Sequence, residues 1–325
     1  MHHLSYGDVK TAAERIDGQV RTVTLARGSG GAGSSGTGSA AQGERFELWL
    51  ALEFLQHTGT FKARGARNFL LAHREQGTLP NAGVTIASGG NAGLACAWAA
   101  REQGVPATVF VPESAPPVKV ERLRAYGADV RFAGTEYAEA AAACEEFVAT
   151  TGALASHAYD NPLIAAGAGT LVEEIRAQVP LLDTIVVSVG GGGLFSGVAA
   201  AAQHHGIRVV AVEPERCRAL NAAIEAGRVV DVPVDSVAAD SLGARRATPM
   251  ALAAAGHRNV RSVLVPDAAV VAARRGLWES HRLAVEHAAG AALAGVVGEG
   301  APYVPASGER VAVVLCGANT ELGDL

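Results

Sequence analysis

The chain has 325 residues, of which 49% are hydrophobic and 18% charged, with a formal net charge of −5. This is enough apolar sequence for a large core, and it indicates one enzyme of two lobes. No basic run or aromatic-interleaved stripe indicates nucleic-acid binding, and no apolar stretch is long enough to span a membrane.

Four cysteines are scattered along the chain without a CxxC pair, at Cys96, Cys144, Cys217 and Cys316. This spacing argues against a structural zinc and favours a reducing compartment. The N-terminal residues contain no charged segment followed by an apolar one, so we expect no signal peptide and a cytoplasmic protein.

The first distinctive segment in chain order is Gly28–Gly38, which consists mostly of Gly and Ser. Such a segment cannot bury enough surface to offset its ordering entropy, so we expect a flexible surface loop. No strand-to-helix context frames these glycines, which argues against a phosphate-binding role. The role of the insert over residues 28–43 is left open by the sequence.

Lys62 lies between a glycine-containing turn and an alanine-rich apolar stretch. Partial burial disfavours the ammonium form and leaves a nucleophilic amine, which is what a Schiff base with an aldehyde cofactor requires. The alternative is a lysine whose amine reaches the surface and is solvated.

From Val84 onward, short runs rich in Val and Ile alternate with longer helical stretches, three of which are Asn91–Gln103, Pro117–Tyr126 and Tyr137–Thr150. The predicted strands are Val84–Ala87, Ala107–Val111, Asp129–Phe132, Thr184–Val189, Val209–Val212, Ser262–Val265 and Val311–Leu315. This pattern is typical of an α/β protein with doubly wound parallel sheets, which bind ligands at the carboxyl ends of their strands.

Three further segments follow predicted strands. Gly190–Gly193 opens a helix, where glycines and the helix dipole suit an anion such as phosphate; a tight turn or close packing is the alternative. Ser88–Gly93 either caps a helix or holds a carboxylate, and the Asn91 amide suits a phenolic oxygen. Cys316 ends the last strand, either as a buried apolar residue or as a ligand contact.

These four segments resemble the fold-type II pyridoxal-phosphate enzymes, in particular the serine/threonine dehydratase group of threonine ammonia-lyases and serine racemases. TGTFKARGA is similar to the Schiff-base segment of that family, SGGNAG to its asparagine loop, GGGGL to its phosphate loop, and LCGAN to the segment beside the pyridine nitrogen. Weaker similarities lie at HAYDNPLIAAGAGT, AVEPE, ADSLGARR and VEHAAGAAL. Order and spacing agree over about Leu48–Asn319.

The resemblance implies a role for each matched residue. Lys62 would hold the cofactor, pyridoxal 5'-phosphate, and shuttle protons, and Ser88 would join it in catalysis. The other cofactor contacts would be Phe61, Asn91 at the ring hydroxyl, Gly190, Gly191, Gly192, Gly193 and Leu194 at the phosphate, and Cys316 at the pyridine nitrogen. The substrate carboxylate would bind Ser88, Gly89, Gly90, Asn91 and Ala92.

The resemblance also implies a fold of the tryptophan synthase β type, with the cofactor in the cleft between two lobes. Residues 1–80 and 158–325 would form a large cofactor-binding domain, and residues 81–157 a small mobile domain. A homodimer is expected because relatives are commonly dimers, and the small-molecule partner would be an amino acid.

The residue at the pyridine nitrogen bears on the reaction. A thiol at Cys316 cannot stabilise a protonated pyridine as a carboxylate would, so the cofactor should be a weaker electron sink. This favours loss of water from L-serine, L-threonine or a bulkier 3-hydroxy amino acid, among which the residues do not choose, to give a 2-oxo acid and ammonia.

Two departures from the family pattern bear on whether the protein is a racemase and on whether it binds a metal ion. Gly89 stands where related serine racemases place a second base, so racemisation should be poor. Of an acidic pair that holds a cation in some relatives, only Glu213 survives, because the second position is Ala219. No metal is therefore expected.

Several interpretations stay open. A β-replacement synthase and an amino-acid racemase belong to the same cofactor class, and a non-catalytic protein that binds a phosphorylated ligand is a further alternative. A nucleotide-binding oxidoreductase is disfavoured because the dinucleotide fingerprint and its ribose-binding acid are missing.

Overall fold

A computed structural model of the protein describes residues 4–29, 46–321 and 323. Of the Gly28–Gly38 segment only Gly28 and Ser29 are included, so the flexible loop predicted there lies outside the described residues. The described residues form two sheets covered by helices.

The elements are numbered in chain order. The strands are β1 Leu25–Arg27, β2 Glu47–Ala51, β3 Val84–Ala87, β4 Ala107–Val111, β5 Asp129–Phe132, β6 Leu154–Ala155, β7 Thr184–Ser188, β8 Arg208–Pro214, β9 Val260–Val265 and β10 Arg310–Val314. The helices are α1 Tyr6–Ile16, α2 Lys62–Glu75, α3 Asn91–Gln103, α4 Pro117–Ala125, α5 Tyr137–Thr151, α6 Pro162–Gly169, α7 Leu171–Gln178, α8 Gly193–His204, α9 Ala219–Ala226, α10 Ala239–Leu242, α11 Pro249–Ala255, α12 Asp267–His281 and α13 His287–Ala294. Two short 3-10 turns, Glu53–Leu55 and His57–Gly59, lie between β2 and α2.

The larger sheet has the strand order β1-β2-β10-β7-β8-β9. Its strands are parallel except β1, which pairs antiparallel with β2 at the edge. All five residues of β7 are buried, as expected for a central strand with helices on both faces. Helices α8 and α13 both pack on β7 and β8.

The smaller sheet has the order β5-β4-β3-β6 and is parallel throughout. Helices α3 and α5 pack on β3 and β4, and β4 is buried along its whole length. The predicted α/β class with two doubly wound lobes is confirmed, and each predicted strand lies within about two residues of an observed one. Three observed strands, β1, β2 and the two-residue β6, were not among the predicted ones.

This topology brings the candidate segments together. Strand β10 lies between β2 and β7, so the residues that follow these three strands meet at one edge of the larger sheet. Lys62 follows β2, Gly190 follows β7 and Cys316 follows β10, while Ser88 follows β3 of the smaller sheet.

Among the described residues, no helix combines the length and the apolar composition needed to cross a lipid bilayer. The four cysteines are all buried, and none forms a disulfide. The part of the chain that is described also contains no group of three or more His, Cys, Asp or Glu side chains arranged to hold a metal ion.

Candidate active site

The residues just before Lys62 are bound to the backbone that follows the last strand. Lys62 is the first residue of α2, after a turn in which Thr58 and Gly59 both have positive φ, at 63° and 73°. The Phe61 N–H donates to the carbonyl oxygen of Cys316 at 2.9 Å, and Thr60 forms an antiparallel bridge with Gly317. The beginning of α2 is therefore fixed against the carboxyl end of β10.

The Lys62 amine points into the protein rather than into solvent. Its Nζ donates to the carbonyl oxygen of Ala158 at 3.1 Å and lies 4.9 Å from the centre of the Phe61 ring. Burial lowers the pKa of Lys62, an effect that the nearby Cys316 and Glu286 partly oppose. The solvated alternative is thus wrong, and a larger fraction of this amine is neutral than of a surface lysine.

The tetraglycine loop presents unpaired donors. Within the described part of the chain, the backbone N–H groups from Gly190 to Phe195 have no hydrogen-bond acceptor. They precede or open α8, and Gly192 has a φ of 101°, which a side chain would disfavour. Aligned N–H groups at a helix N-terminus form a site for an anion. Leu194 contributes to this site with its backbone N–H and not with its side chain, which is buried in the core.

Close packing also explains the glycines of this loop. A Cβ on Gly191 would lie 2.3 Å from the Tyr159 ring, and a Cβ on Gly192 would lie 2.3 Å from the Cβ of Ala251. Close packing is therefore compatible with a row of available N–H groups in the same loop, since neighbouring side chains fill one side of it and the N–H groups line another.

The Ser88–Gly93 loop contains the turn after β3 and the first three residues of α3. Gly90 is the residue before the helix, and neither Ser88 nor Asn91 caps it, so the capping alternative is wrong. The Ser88 hydroxyl accepts a long hydrogen bond, of 3.4 Å, from the Gly90 N–H. Among the described residues, the N–H groups of Asn91, Ala92 and Gly93 have no acceptor, so this helix end can also hold an anionic group.

The Asn91 side chain belongs to a network that the sequence analysis missed. Its Nδ2 donates to Glu286 at 2.8 Å, and its Oδ1 accepts from Asn319 Nδ2 at 2.7 Å. The backbone N–H of Asn319 also donates to Glu286, at 2.9 Å. Glu286 lies in the VEHAAGAAL segment, but a single acid before an alanine-rich helix gives no signal of its own.

Glu286 is a buried carboxylate between the two sheets' loops, with 6% of its surface exposed. Burial raises its pKa, while the hydrogen bonds from Asn91 and Asn319 partly oppose the rise. A Cβ on Gly317 would lie 2.7 Å from its Oε2. Position 317 is therefore glycine because the Glu286 carboxylate occupies the space that a side chain would need.

Cys316 is a buried, neutral thiol. Its side chain is 3% exposed, and its Sγ lies 3.7 Å from the Ser188 hydroxyl. Burial raises the pKa of Cys316 to about 12, and the charge of Glu286 adds to the rise. At neutral pH this group is a weak hydrogen-bond partner and carries no charge.

Glu213, the acid that the resemblance matched to a cation site, binds a helix end. Its two oxygens accept the N–H groups of Leu220 and Asn221, both at 2.8 Å, at the beginning of α9. Burial raises the pKa of Glu213 to about 7. Both oxygens are engaged by the helix end, so this carboxylate stabilises α9.

These groups fit a ligand with an aldehyde at one end and a phosphate at the other. Lys62 offers an amine with a lowered pKa, and the loop from Gly190 offers unpaired N–H donors. The two are linked through one short segment, because Ala158 accepts from Lys62 and Tyr159 packs on Gly191. The donor set therefore suits pyridoxal phosphate.

Comparison with known proteins supports this fit. A profile of the family described as pyridoxal-phosphate dependent enzymes matches residues 13–317. The chain is 35% identical to an L-threonine ammonia-lyase of Geobacter sulfurreducens over 277 residues, which is 85% of this chain and 68% of the relative. It is also 35% identical to a serine dehydratase-like protein of Homo sapiens over 282 residues, 84% of this chain and 85% of the relative.

Among solved structures, maize serine racemase superposes with a TM-score of 0.87 at 27% identity, over 99% of this chain and 95% of the racemase. The similarity thus extends over both sheets and all four motifs. The chain belongs to the fold-type II family of pyridoxal-phosphate dependent enzymes.

Proposed function

We propose that the protein is a pyridoxal-phosphate-dependent ammonia-lyase that removes water from L-serine, L-threonine or a related 3-hydroxy amino acid, giving a 2-oxo acid and ammonia. The observation that carries the proposal is the Lys62 amine, which donates to the Ala158 carbonyl oxygen and begins a helix that is hydrogen-bonded to the backbone of Cys316. The names of the threonine ammonia-lyase and the serine dehydratase-like relative support the same reaction class.

The residues have the following proposed roles. Lys62 would hold the cofactor through its amine, Phe61 would be a further contact, and Cys316 would be the contact at the pyridine nitrogen. The N–H groups of Gly190, Gly191, Gly192, Gly193 and Leu194 would bind the phosphate, and the Asn91 amide would donate to the ring hydroxyl. The N–H groups and hydroxyl of Ser88, Gly89, Gly90, Asn91 and Ala92 bind the substrate carboxylate.

When bound, pyridoxal phosphate withdraws electrons from the α-carbon of the amino acid. Once the substrate amine has taken its place on the cofactor, the Lys62 amine, whose pKa is lowered by burial, would accept the proton from that carbon. Ser88 contributes by holding the carboxylate so that the α-hydrogen faces Lys62. Lys62 would pass that proton to the β-hydroxyl, which leaves as water. The Lys62 amine would then displace the enamine product, which takes up water to give the 2-oxo acid and ammonia.

The Cys316 thiol favours elimination over reactions that need a long-lived carbanion. With a pKa of about 12 it stays protonated and uncharged, so it cannot pair with a protonated pyridine as a carboxylate would. The electron pair at the α-carbon is then less stabilised, and the departure of the β-hydroxyl is the faster outcome.

A racemase is the second candidate, since maize serine racemase shares the fold over nearly the whole chain. Racemisation needs a base on each face of the α-carbon. Lys62 supplies one, and position 89, on the opposite loop, is glycine. A β-replacement synthase and a non-catalytic phospholigand-binding protein stay open as alternatives.

We also propose that residues 81–157 form a small domain that moves against a large domain of residues 1–80 and 158–325. Support comes from the sheet of β3 to β6, whose strands all lie within residues 84–155. Lys119 of α4 and Asp240 of α10 form an ion pair of 2.9 Å between these two parts. We further propose that the protein is a homodimer and that it is located in the cytoplasm.

The chain contains only three lysines, Lys10, Lys62 and Lys119, which makes a direct test simple. The purified protein should carry a yellow Schiff-base absorbance that borohydride bleaches, and peptide mapping should find the reduced adduct on Lys62. Lys62→Ala should lack the absorbance, and Lys10→Ala should keep it. An adduct on Lys10 or Lys119, or an absorbance unchanged in Lys62→Ala, would contradict the proposal.

The reaction is tested with a panel of L-3-hydroxy amino acids assayed for 2-oxo acid and ammonia. Chiral analysis for D-serine separates the racemase, and added thiols separate a replacement enzyme by its thioether product. If the yellow protein releases no 2-oxo acid from any panel member, the ammonia-lyase proposal fails.

A further inference from the structure

Tyr159 lies on the tetraglycine loop, in the segment between β6 and α6. A Cβ on Gly191 would lie 2.3 Å from Cδ2 and Cε2 of its ring, and a Cβ on Gly193 would lie 2.9 Å from its carbonyl oxygen. Real side chains do not approach this closely. Two of the four glycines therefore make room for Tyr159 itself.

The ring also contacts a histidine of its own segment. His157 meets it edge to face, with ring centres 4.9 Å apart, and His157 Nδ1 accepts the N–H groups of Tyr159 at 3.2 Å and Asp160 at 2.8 Å. The preceding residue, Ala158, accepts from the Lys62 amine. This segment therefore connects the Lys62 amine to the loop with unpaired N–H groups through two adjacent residues.

We propose that the Tyr159 ring forms one wall of the phosphate-binding loop and retains the phosphate by excluding water from it. The space above Gly191 belongs to this ring and not to the ligand. Hydrogen bonds from N–H groups to a phosphate are stronger where water is excluded, because the effective dielectric constant is lower. The inference rests on the proposed function, since it concerns the phosphate end of the same cofactor.

The first experiment compares pyridoxal phosphate with pyridoxal, which lacks the phosphate. Cofactor-free wild type, Tyr159→Phe and Tyr159→Ala are titrated with each compound by absorbance, and circular dichroism checks folding. Tyr159→Ala should bind pyridoxal phosphate about tenfold more weakly, as expected for the net loss of about one charge-assisted hydrogen bond, and pyridoxal as wild type does. Tyr159→Phe keeps the ring and should bind both compounds as wild type does.

Tyr303 provides the matched control. It is another half-buried tyrosine, but it lies beside Thr184 at the opposite edge of the larger sheet. Tyr303→Ala should leave the affinity for both compounds unchanged. Equal losses for both compounds in Tyr159→Ala, or no loss for either, would overturn the inference, as would a Tyr159→Phe variant that behaves like Tyr159→Ala.

The second experiment uses the steric conflict at Gly191. Gly191→Ala should weaken pyridoxal phosphate binding because its Cβ displaces the Tyr159 ring. Combined with Tyr159→Ala, it should cause no further loss, whereas a ligand seated over Gly191 would make the two losses multiply. If wild type binds neither compound, the proposed function fails; if wild type binds and the two losses multiply, only this inference fails.

Discussion

Replacing Glu286 with glutamine should leave the protein at least as stable as wild type while lowering its activity. One carboxylate oxygen, Oε1, accepts both hydrogen bonds, from Asn91 Nδ2 at 2.8 Å and from the Asn319 N–H at 2.9 Å. A glutamine carbonyl at that place accepts the same two donors. The substitution therefore removes a charge from a buried position without removing its hydrogen bonds.

The sign of the effect follows from the pKa of Glu286, which burial raises above its ordinary value of 4.5. The ionised form is then disfavoured by folding. The contribution of Glu286 to the free energy of unfolding is fully present below the pKa of the unfolded chain, where the group is protonated in both states. It is lost as the pH rises through the pKa of the folded state. Each unit of the rise corresponds to about 1.4 kcal/mol, and glutamine has no such loss.

The assay is urea unfolding of wild type and Glu286→Gln at several pH values from acid to mildly alkaline. The difference in the free energy of unfolding should be near zero in acid and should grow in favour of glutamine with pH. Glu286→Ala is the contrast, because it leaves two donors without an acceptor and should cost about 2 kcal/mol. A difference that does not change with pH, or a glutamine variant about 2 kcal/mol less stable than wild type at pH 8, would refute the reasoning.

The functional half of the prediction concerns Lys62. The Glu286 charge raises the pKa of that amine against the effect of burial, so its removal should lower the pKa further. The pH profile of Schiff-base formation in Glu286→Gln should shift to lower pH, and kcat should fall about tenfold because Asn91 loses its charged partner. An unchanged profile would mean that the two groups are not coupled.

Three further predictions concern single substitutions. Gly89→Ser should be accommodated, because a Cβ at this position lies 3.4 Å from the Val111 side chain. The variant should form D-serine from L-serine, measured by chiral chromatography. If it forms none, the lack of a base at position 89 is not what prevents racemisation. Arg64→Met should lower the free energy of unfolding, measured in urea, by about 3–5 kcal/mol. In the wild type Arg64 Nε lies 2.7 Å from Glu53 Oε2, and the substitution leaves this buried carboxylate without its partner. A loss under about 1 kcal/mol would contradict this. Cys316→Asp should reduce elimination and add racemisation or transamination, since a carboxylate can pair with a protonated pyridine; full elimination without either side reaction would be inconsistent with the role of the thiol.

The sequence alone was sufficient for the fold class and for the segments that form the site. The strands from Val84 onward are short, apolar and rich in Val and Ile, and such local patterns do not depend on distant residues. Lys62, the glycines from Gly190 and the Ser88–Gly93 loop each carry a distinctive local motif, and together they indicated one cofactor before any contact was known.

Only the tertiary structure decided which side chains complete the site. Glu286 meets Asn91 across 195 positions of sequence, and Arg64 meets Glu174 across 110. Tyr159 packs on Gly191 although nothing in its own segment indicates this contact. Such partners are set by the order of the strands and by which loops share one sheet edge. A buried acid or a ring acquires its role from the groups that folding brings beside it, and that information is not present in any single stretch of the chain.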